Sequence, residues 1–176
     1  MSSKSGTILS GLGVGLTPAT GEVLVIKHSQ LIPEWTKSTK STEQEVIELK
    51  DAIAFVARQL DELGIKAGGT SAEIFDALKT LLEDEELFEV ATANIESGWS
   101  AAASFGKAVD EFSELLKGDP TFDERIADFQ DLSKRVQARL AGITLELDLP
   151  KTGRIVLVGE DFSPADTAQF TDAVIG

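Results

Sequence analysis

Apolar residues change their period twice along the chain. From Thr7 to Lys27 the pattern is strand-like: Thr7-Ile8-Leu9 and Val23-Leu24-Val25-Ile26 are rich in β-formers, and the stretch between them, with Gly11, Gly13, Gly15, Pro18 and Gly21, reads as turns. Residues 28 to 40 are polar, contain Pro33 and end in Lys37-Ser38-Thr39-Lys40, as a linker does. The period then becomes helical. Val46, Leu49, Ile53, Val56, Leu60 and Leu63 recur at steps of three and four, which puts all six on one seam of a long helix. Thr42 with Glu45 predicts a capping box at its start, and Gly64 predicts its end.

Gly68-Gly69 separates a second helix, opened by Thr70 with Glu73 and carried by Ile74, Leu78, Leu81 and Leu82. Near Asp84 it kinks or restarts, continuing through Leu87, Phe88, Ala91 and Ile95. A third helix follows Ser97-Gly98-Trp99-Ser100, with Ala102, Phe105, Val109, Phe112 and Leu116 on its apolar face. Asp119-Pro120 caps a fourth, through Phe122, Ile126, Phe129, Leu132, Val136 and Leu140. Four amphipathic helices with short joints make an antiparallel bundle.

After Gly142 the period returns to two: Ile143, Leu145, Leu147 and Leu149 alternate with polar residues and predict a strand. Ile155 to Val158 is an unbroken branched run suited to a buried strand. Ser163-Pro164-Ala165-Asp166 then opens a helix, with a hydroxyl to cap free amides, a proline whose φ is pre-set, and an acid facing the positive end of the helix dipole. The bundle is therefore expected as an insertion in one β-containing domain formed by the two ends of the chain.

Charge narrows the choice of partner. A net charge of -14 with only 16 basic residues argues against nucleic acid or an anionic membrane, since no basic patch neutralises phosphates. Between Glu73 and Glu96 stand eight acids against the single Lys79, so half of the net charge sits on one helical element. An acid-rich helix is ordinarily a solvated face; this asymmetry points further, to a docking face for a basic partner. Residues 1 to 6 make neither a signal nor an anchor, and the cytoplasm is the expected compartment.

Candidate chemistry is sparse. The 176 residues contain no cysteine, which excludes disulfides and thiolate sites, and one histidine, His28, which reads as an exposed residue at an element end. No second histidine makes a metal pair. The glycines of GLGVG at 11 to 15 miss the dinucleotide-binding spacing and read as turns.

Several segments, in order, resemble Enzyme I of the bacterial sugar phosphotransferase system, the phosphoenolpyruvate-protein phosphotransferase: Ser10-Gly11, GEVLVIK at 21 to 27, IFDALKTLLEDEEL at 74 to 87, DERIADFQDLSKRV at 123 to 136 and EDFSPADTAQ at 160 to 169. Where that family has a serine-proline-glycine turn, this chain has Gly15-Leu16-Thr17. The resemblance implies a mostly helical fold with an α/β part: a four-helix bundle at 41 to 143 that binds the phosphocarrier protein HPr, after a linker at 28 to 40. The bundle is inserted in a swivelling α/β phosphohistidine subdomain made of 1 to 27 plus 144 to 176.

On that resemblance the subdomain is incomplete, because the family's Gly-Gly-x-Thr-Ser-His motif is expected beyond Gly176. Ile155, Val158, Phe170 and Val174 are then expected to be uncovered. It implies no cofactor in this chain, with Mg2+ and the phosphoenolpyruvate site in the parent protein. The chain is expected to be monomeric and without activity alone, and the parent homodimeric. Carried over by position, the HPr-contacting residues are Asp76, Leu81, Asp84, Glu85, Glu86 and Leu87, with Arg125 on the fourth helix; Thr80 stands where the family has an apolar residue. The alternative is a non-catalytic helical interaction module of the same architecture.

Overall fold

A computed structural model describes residues 18–26, 36–117, 120–145, 147–159 and 162–176, with the side chains of 116 and 120–125 outside the description. The predicted Thr7-Ile8-Leu9 strand, the turns at 11–17, His28, most of the linker and the Asp119 cap lie outside the described residues. The elements run β1 (Glu22–Val25), α1 (Thr42–Ala67), α2 (Gly69–Leu82), α3 (Glu85–Glu96), α4 (Ala101–Leu116), α5 (Pro120–Leu140), β2 (Ile155–Val158) and α6 (Pro164–Thr167).

Helix α1 packs against α2, α3, α4 and α5, and α4 lies between α3 and α5. The predicted seam is the contact surface: Leu49, Val56 and Leu60 are buried, with Val46, Ile53 and Leu63 packed beside them. Its start is one residue earlier than predicted. Ser41 is the cap and accepts from the Gln44 amide at 3.3 Å. Glu45 is not part of a box: its carboxylate crosses to α4, where it accepts from the Ala101 amide at 2.7 Å and from the Ser38 hydroxyl. A free amide at a helix start is worth more to a buried carboxylate than the local Thr42 amide.

Gly64 does not end α1 but lies inside it. A Cβ there would stand 3.3 Å from the Phe75 Cβ, so this glycine lets α2 approach closely. The turn comes at Gly68 and Gly69, with φ of 65° and 55°, a left-handed conformation that glycine adopts without strain. In α2 the buried residues are Phe75, Leu78 and Leu82; the predicted Ile74 is exposed, because Phe75 holds the inward phase against Gly64. Helix α3 is a true restart, capped by Asp84, whose carboxylate accepts from the Leu87 amide at 3.0 Å. One core runs through Leu49, Leu60, Leu82, Phe105 and Val136 and extends to Ala165 of α6.

Strands β1 and β2 are parallel, with Glu22 opposite Ile155 and Val25 opposite Val158. A parallel pair needs a crossover, and the helices between the two strands supply one. On the other side of β2, Ile155 donates to the Ala173 carbonyl at 2.8 Å and Leu157 to that of Gly176 at 2.7 Å. A second, smaller core joins Leu149, Ile155, Leu157 and Ala173, with Phe162 and Phe170 packed edge to face at 5.5 Å.

Two expectations need correction here. The alternation from Ile143 to Leu149 makes no strand among the described residues, because its amides go elsewhere: Ile143 donates to the Ala138 carbonyl at 2.8 Å, Leu147 to the Gln169 side chain at 3.0 Å and Leu149 to the Leu147 carbonyl at 2.9 Å. Of the four apolar residues expected to be uncovered, only Val158 is exposed. Ile155 is buried because residues 173–176 run alongside β2.

Candidate docking surface

The break between α2 and α3 gathers the acids. Glu83 ends α2, Asp84 is extended, and Glu85 and Glu86 occupy the first turn of α3; all four are exposed. Local physics favours them there, because carboxylates near a helix N-terminus gain about 0.3–1 kcal/mol from the dipole. That explains acids at the joint. It does not explain why Glu85 and Glu86 make no hydrogen bond or ion pair with any described side chain, which leaves their charge projected outward.

The one cation of the segment is paired with α1. Lys79 donates to both oxygens of Asp61 on α1, at 2.7 and 2.9 Å. The hydrogen bond to Asp61 holds its ammonium above the ordinary lysine range, and the nearby Glu83 and Asp76 act in the same direction. The Thr80 hydroxyl donates to the Asp76 carbonyl at 2.9 Å and so turns onto its own helix.

Of the residues carried over from the resemblance, the structure brings Leu81, Asp84, Glu85 and Glu86 together at the joint, with Asp76 exposed earlier on α2, about 7.5 Å before Leu81 along the axis at 1.5 Å per residue. Leu81 is half-buried against the core and keeps part of its surface outside. Leu87 is buried in the chain by itself. At 1% exposure it fills the core with Ala91 and Ile95, so its side chain holds α3 in place. Arg125 falls in α5, its side chain outside the described residues.

A second polar region went unread in the sequence. Arg135 on α5 lies between Asp131, at 2.7 Å, and the start of α6, where it bonds Asp166 at 3.3 Å and Ser163 at 3.2 Å. The i, i+4 spacing of Asp131 and Arg135 is visible in sequence; the partner 31 residues on is not. Nearby, a cleft of about 510 Å³ separates α1 and α5 from residues 142–145 and 147, with Arg139 over the Phe55 ring at 4.2 Å and Lys66 donating to the Ala168 carbonyl at 3.1 Å. Among the described residues no three His, Asp or Glu side chains converge as a metal site. No described helix is long and apolar enough to cross a membrane.

Residues 10–125 match the family model for the PEP-utilising enzyme, N-terminal. The chain is 31% identical over 140 residues to the phosphoenolpyruvate-protein phosphotransferase of Enterococcus faecalis, covering 75% of this chain and 24% of that protein. It is 30% identical over 164 residues to the protein of the same name from Streptomyces coelicolor, covering 92% of this chain and 30% of that protein. The chain thus spans less than a third of these relatives. Its fold matches an Enzyme I (nEIt) solution structure at a TM-score of 0.70 and 23% identity, over 89% of this chain and 66% of that one. By sequence and by fold, this chain belongs to the family of amino-terminal regions of phosphoenolpyruvate-utilising enzymes and has the fold of the Enzyme I amino-terminal domain.

Proposed function

We propose that this chain is the amino-terminal part of a phosphotransferase that moves phosphate from phosphoenolpyruvate to HPr in sugar uptake, and that it supplies the HPr-docking surface. The observation that carries the reading is the exposed row Glu83, Asp84, Glu85 and Glu86 at the α2–α3 joint, beside the half-exposed Leu81, with Lys79 paired to Asp61 on α1. Such a surface suits a carrier with basic residues around an apolar centre. The acids orient and accelerate the encounter, and the leucine slows dissociation.

The reading assigns the bundle at 41 to 143 to docking and the two chain ends to the phosphohistidine subdomain; the pairing of β1 with β2 across the helices supports this division. In the parent enzyme, a homodimer of the cytoplasm, Mg2+ and phosphoenolpyruvate belong to residues that the resemblance places after this chain. Phosphoryl transfer needs an in-line nucleophile within charge-neutralising groups. This chain alone, a monomer, therefore takes up no phosphate: intact mass after incubation with phosphoenolpyruvate and Mg2+ stays unchanged, and a phosphate on His28 would overturn that expectation.

The docking test is a stopped-flow titration with fluorescently labelled HPr. Exposed ion pairs contribute only about 0.2–1 kcal/mol each, so single reversals do little. Reversing Asp84, Glu85 and Glu86 together to lysine slows association and flattens its salt dependence, since the attraction that salt screens is removed. Leu81→Ala raises the dissociation rate instead. An association rate and salt slope unchanged by the triple reversal would place the carrier elsewhere.

A further inference from the structure

We propose that Arg135 is a positioning residue: it fixes the β1–β2 part of the chain on the helical bundle by holding α6 in one orientation. Helix α6 lies after the sheet in sequence, yet Ala165 belongs to the bundle core and Ala168 packs against it, while Ile155, Leu157 and Ala173 on either side form the other core. It packs on the bundle, while the residues that flank it in sequence, Phe162 and Phe170, pack on the second core, so it ties the one to the other. It is also held at both ends: Arg135 from α5 bonds Ser163 and Asp166 at its start, and Lys66 from the end of α1 donates to the Ala168 carbonyl at its finish.

The fork of the guanidinium suits this task. Its Nε is fixed by Asp131 one turn back on the same helix, which leaves the Nη2 edge pointing at the α6 cap. There Asp166 already accepts from the Ser163 amide at 3.1 Å while the Ser163 hydroxyl accepts from the Asp166 amide at 3.2 Å. The side chains of Arg135 and Asp166 are 9% and 7% exposed. A buried ion pair adds little net stability over an apolar contact of the same shape, because desolvation offsets the attraction. What it adds is direction, since two planar groups and a hydroxyl meet in only one arrangement.

The consequence rests on the docking reading above. If the bundle seats the carrier and the sheet part leads to the phosphohistidine, their relative placement sets the transfer geometry, where an error of about 1 Å can cost about a hundredfold in rate.

The test uses the whole chain, whose lack of cysteine permits clean spin labelling. Labels at Glu89→Cys on α3 and Lys151→Cys before β2, both exposed sites, report the distance between the two parts. The unmodified pair gives one narrow distance distribution. Arg135→Met broadens it and accelerates amide exchange in α6 by roughly tenfold or more, with core amides of α1 and α4 unchanged. Arg135→Lys falls between, because a point charge reaches one carboxylate and not both.

Asp166→Asn covers the case in which Arg135→Met unfolds: its amide oxygen still caps Ser163 while the charge is gone, and it too broadens the distribution. Narrow distributions and unaltered α6 exchange in Asp166→Asn and in a folded Arg135→Met would overturn the proposal. HPr affinity is expected to stay within twofold in all three variants, since neither Arg135 nor Asp166 is among the proposed contact residues. Failure of the unsubstituted chain to bind HPr would sink the docking reading alone, and the label distances would still decide whether Arg135 positions α6.

Discussion

The two cores of this molecule are built from equally apolar residues and differ in what surrounds them. In the bundle, Leu49, Leu60, Phe105 and Val136 are covered on all sides by five helices that contact one another. In the sheet part, Ile155 and Leu157 are buried beneath β1, Phe162 and residues 173–176, while Val23, Val25 and Val158 are left in the open. A two-stranded sheet with one bare side is marginal by itself, whereas an amphipathic helix in a bundle is stabilised by its neighbours. Burial of a side chain therefore reports little until the cooperative unit to which it belongs is known.

Deleting the same kind of side chain from each core puts that contrast under the greatest strain. Phe105→Ala should cost about 3–5 kcal/mol and lower the urea midpoint for loss of helix signal. Ile155→Ala should leave that midpoint almost unchanged and instead release the amides of β1 and β2 to fast exchange. A common midpoint shift for both would make the two cores one cooperative unit.

A smaller effect, about 1–3 kcal/mol, is expected for Glu45→Ala, which orphans the Ala101 amide at the buried start of α4 and frees residue 38. It should be read from the same urea curve, and exchange should rise first at Ala101 and Ser104. Loss confined to the α1 start would show that Glu45 acts only as a local cap.

How much of this was legible in the sequence depended on how local each interaction is. The α1 seam, the glycine turn at 68–69 and the Ser163–Asp166 cap are set by residues within a few positions and were readable. Glu45 looked like half of a capping box because its true partner, Ala101, is 56 residues away. Gly64 looked like a helix end, since composition does not distinguish a stop from a close packing of Phe75. The alternation of 143–149 was a strand pattern without a strand to pair. In the candidate site the exposure of the acids was legible and the burial of Leu87 was overlooked, although Leu87, Ala91 and Ile95 share the spacing of a buried stripe.

The smallest expected effect concerns Asp110 on α4, an exposed residue whose carboxyl is raised from its ordinary value by partial desolvation against the helix surface, with Glu114 adding to it. A raised carboxyl pKa in the folded state means that ionisation costs stability: the penalty is absent below the unfolded value of 3.8 and sets in as pH rises through the folded one. Asp110→Asn should thus stabilise at pH 7 by less than about 0.5 kcal/mol, given the exposure of the site, and the gain should vanish below pH 3.8. A gain that persists at low pH would assign it to helix packing and not to charge.

The docking assignment itself is best tested by mapping amide shifts of the isotopically labelled chain during titration with unlabelled HPr. Perturbations centred on Asp76 and on Leu81 to Glu86, with β1 and β2 silent, are expected, and they should weaken as salt is raised. Perturbations centred on the open face of Val23, Val25 and Val158, or none at millimolar HPr with the bundle amides still dispersed, would overturn it.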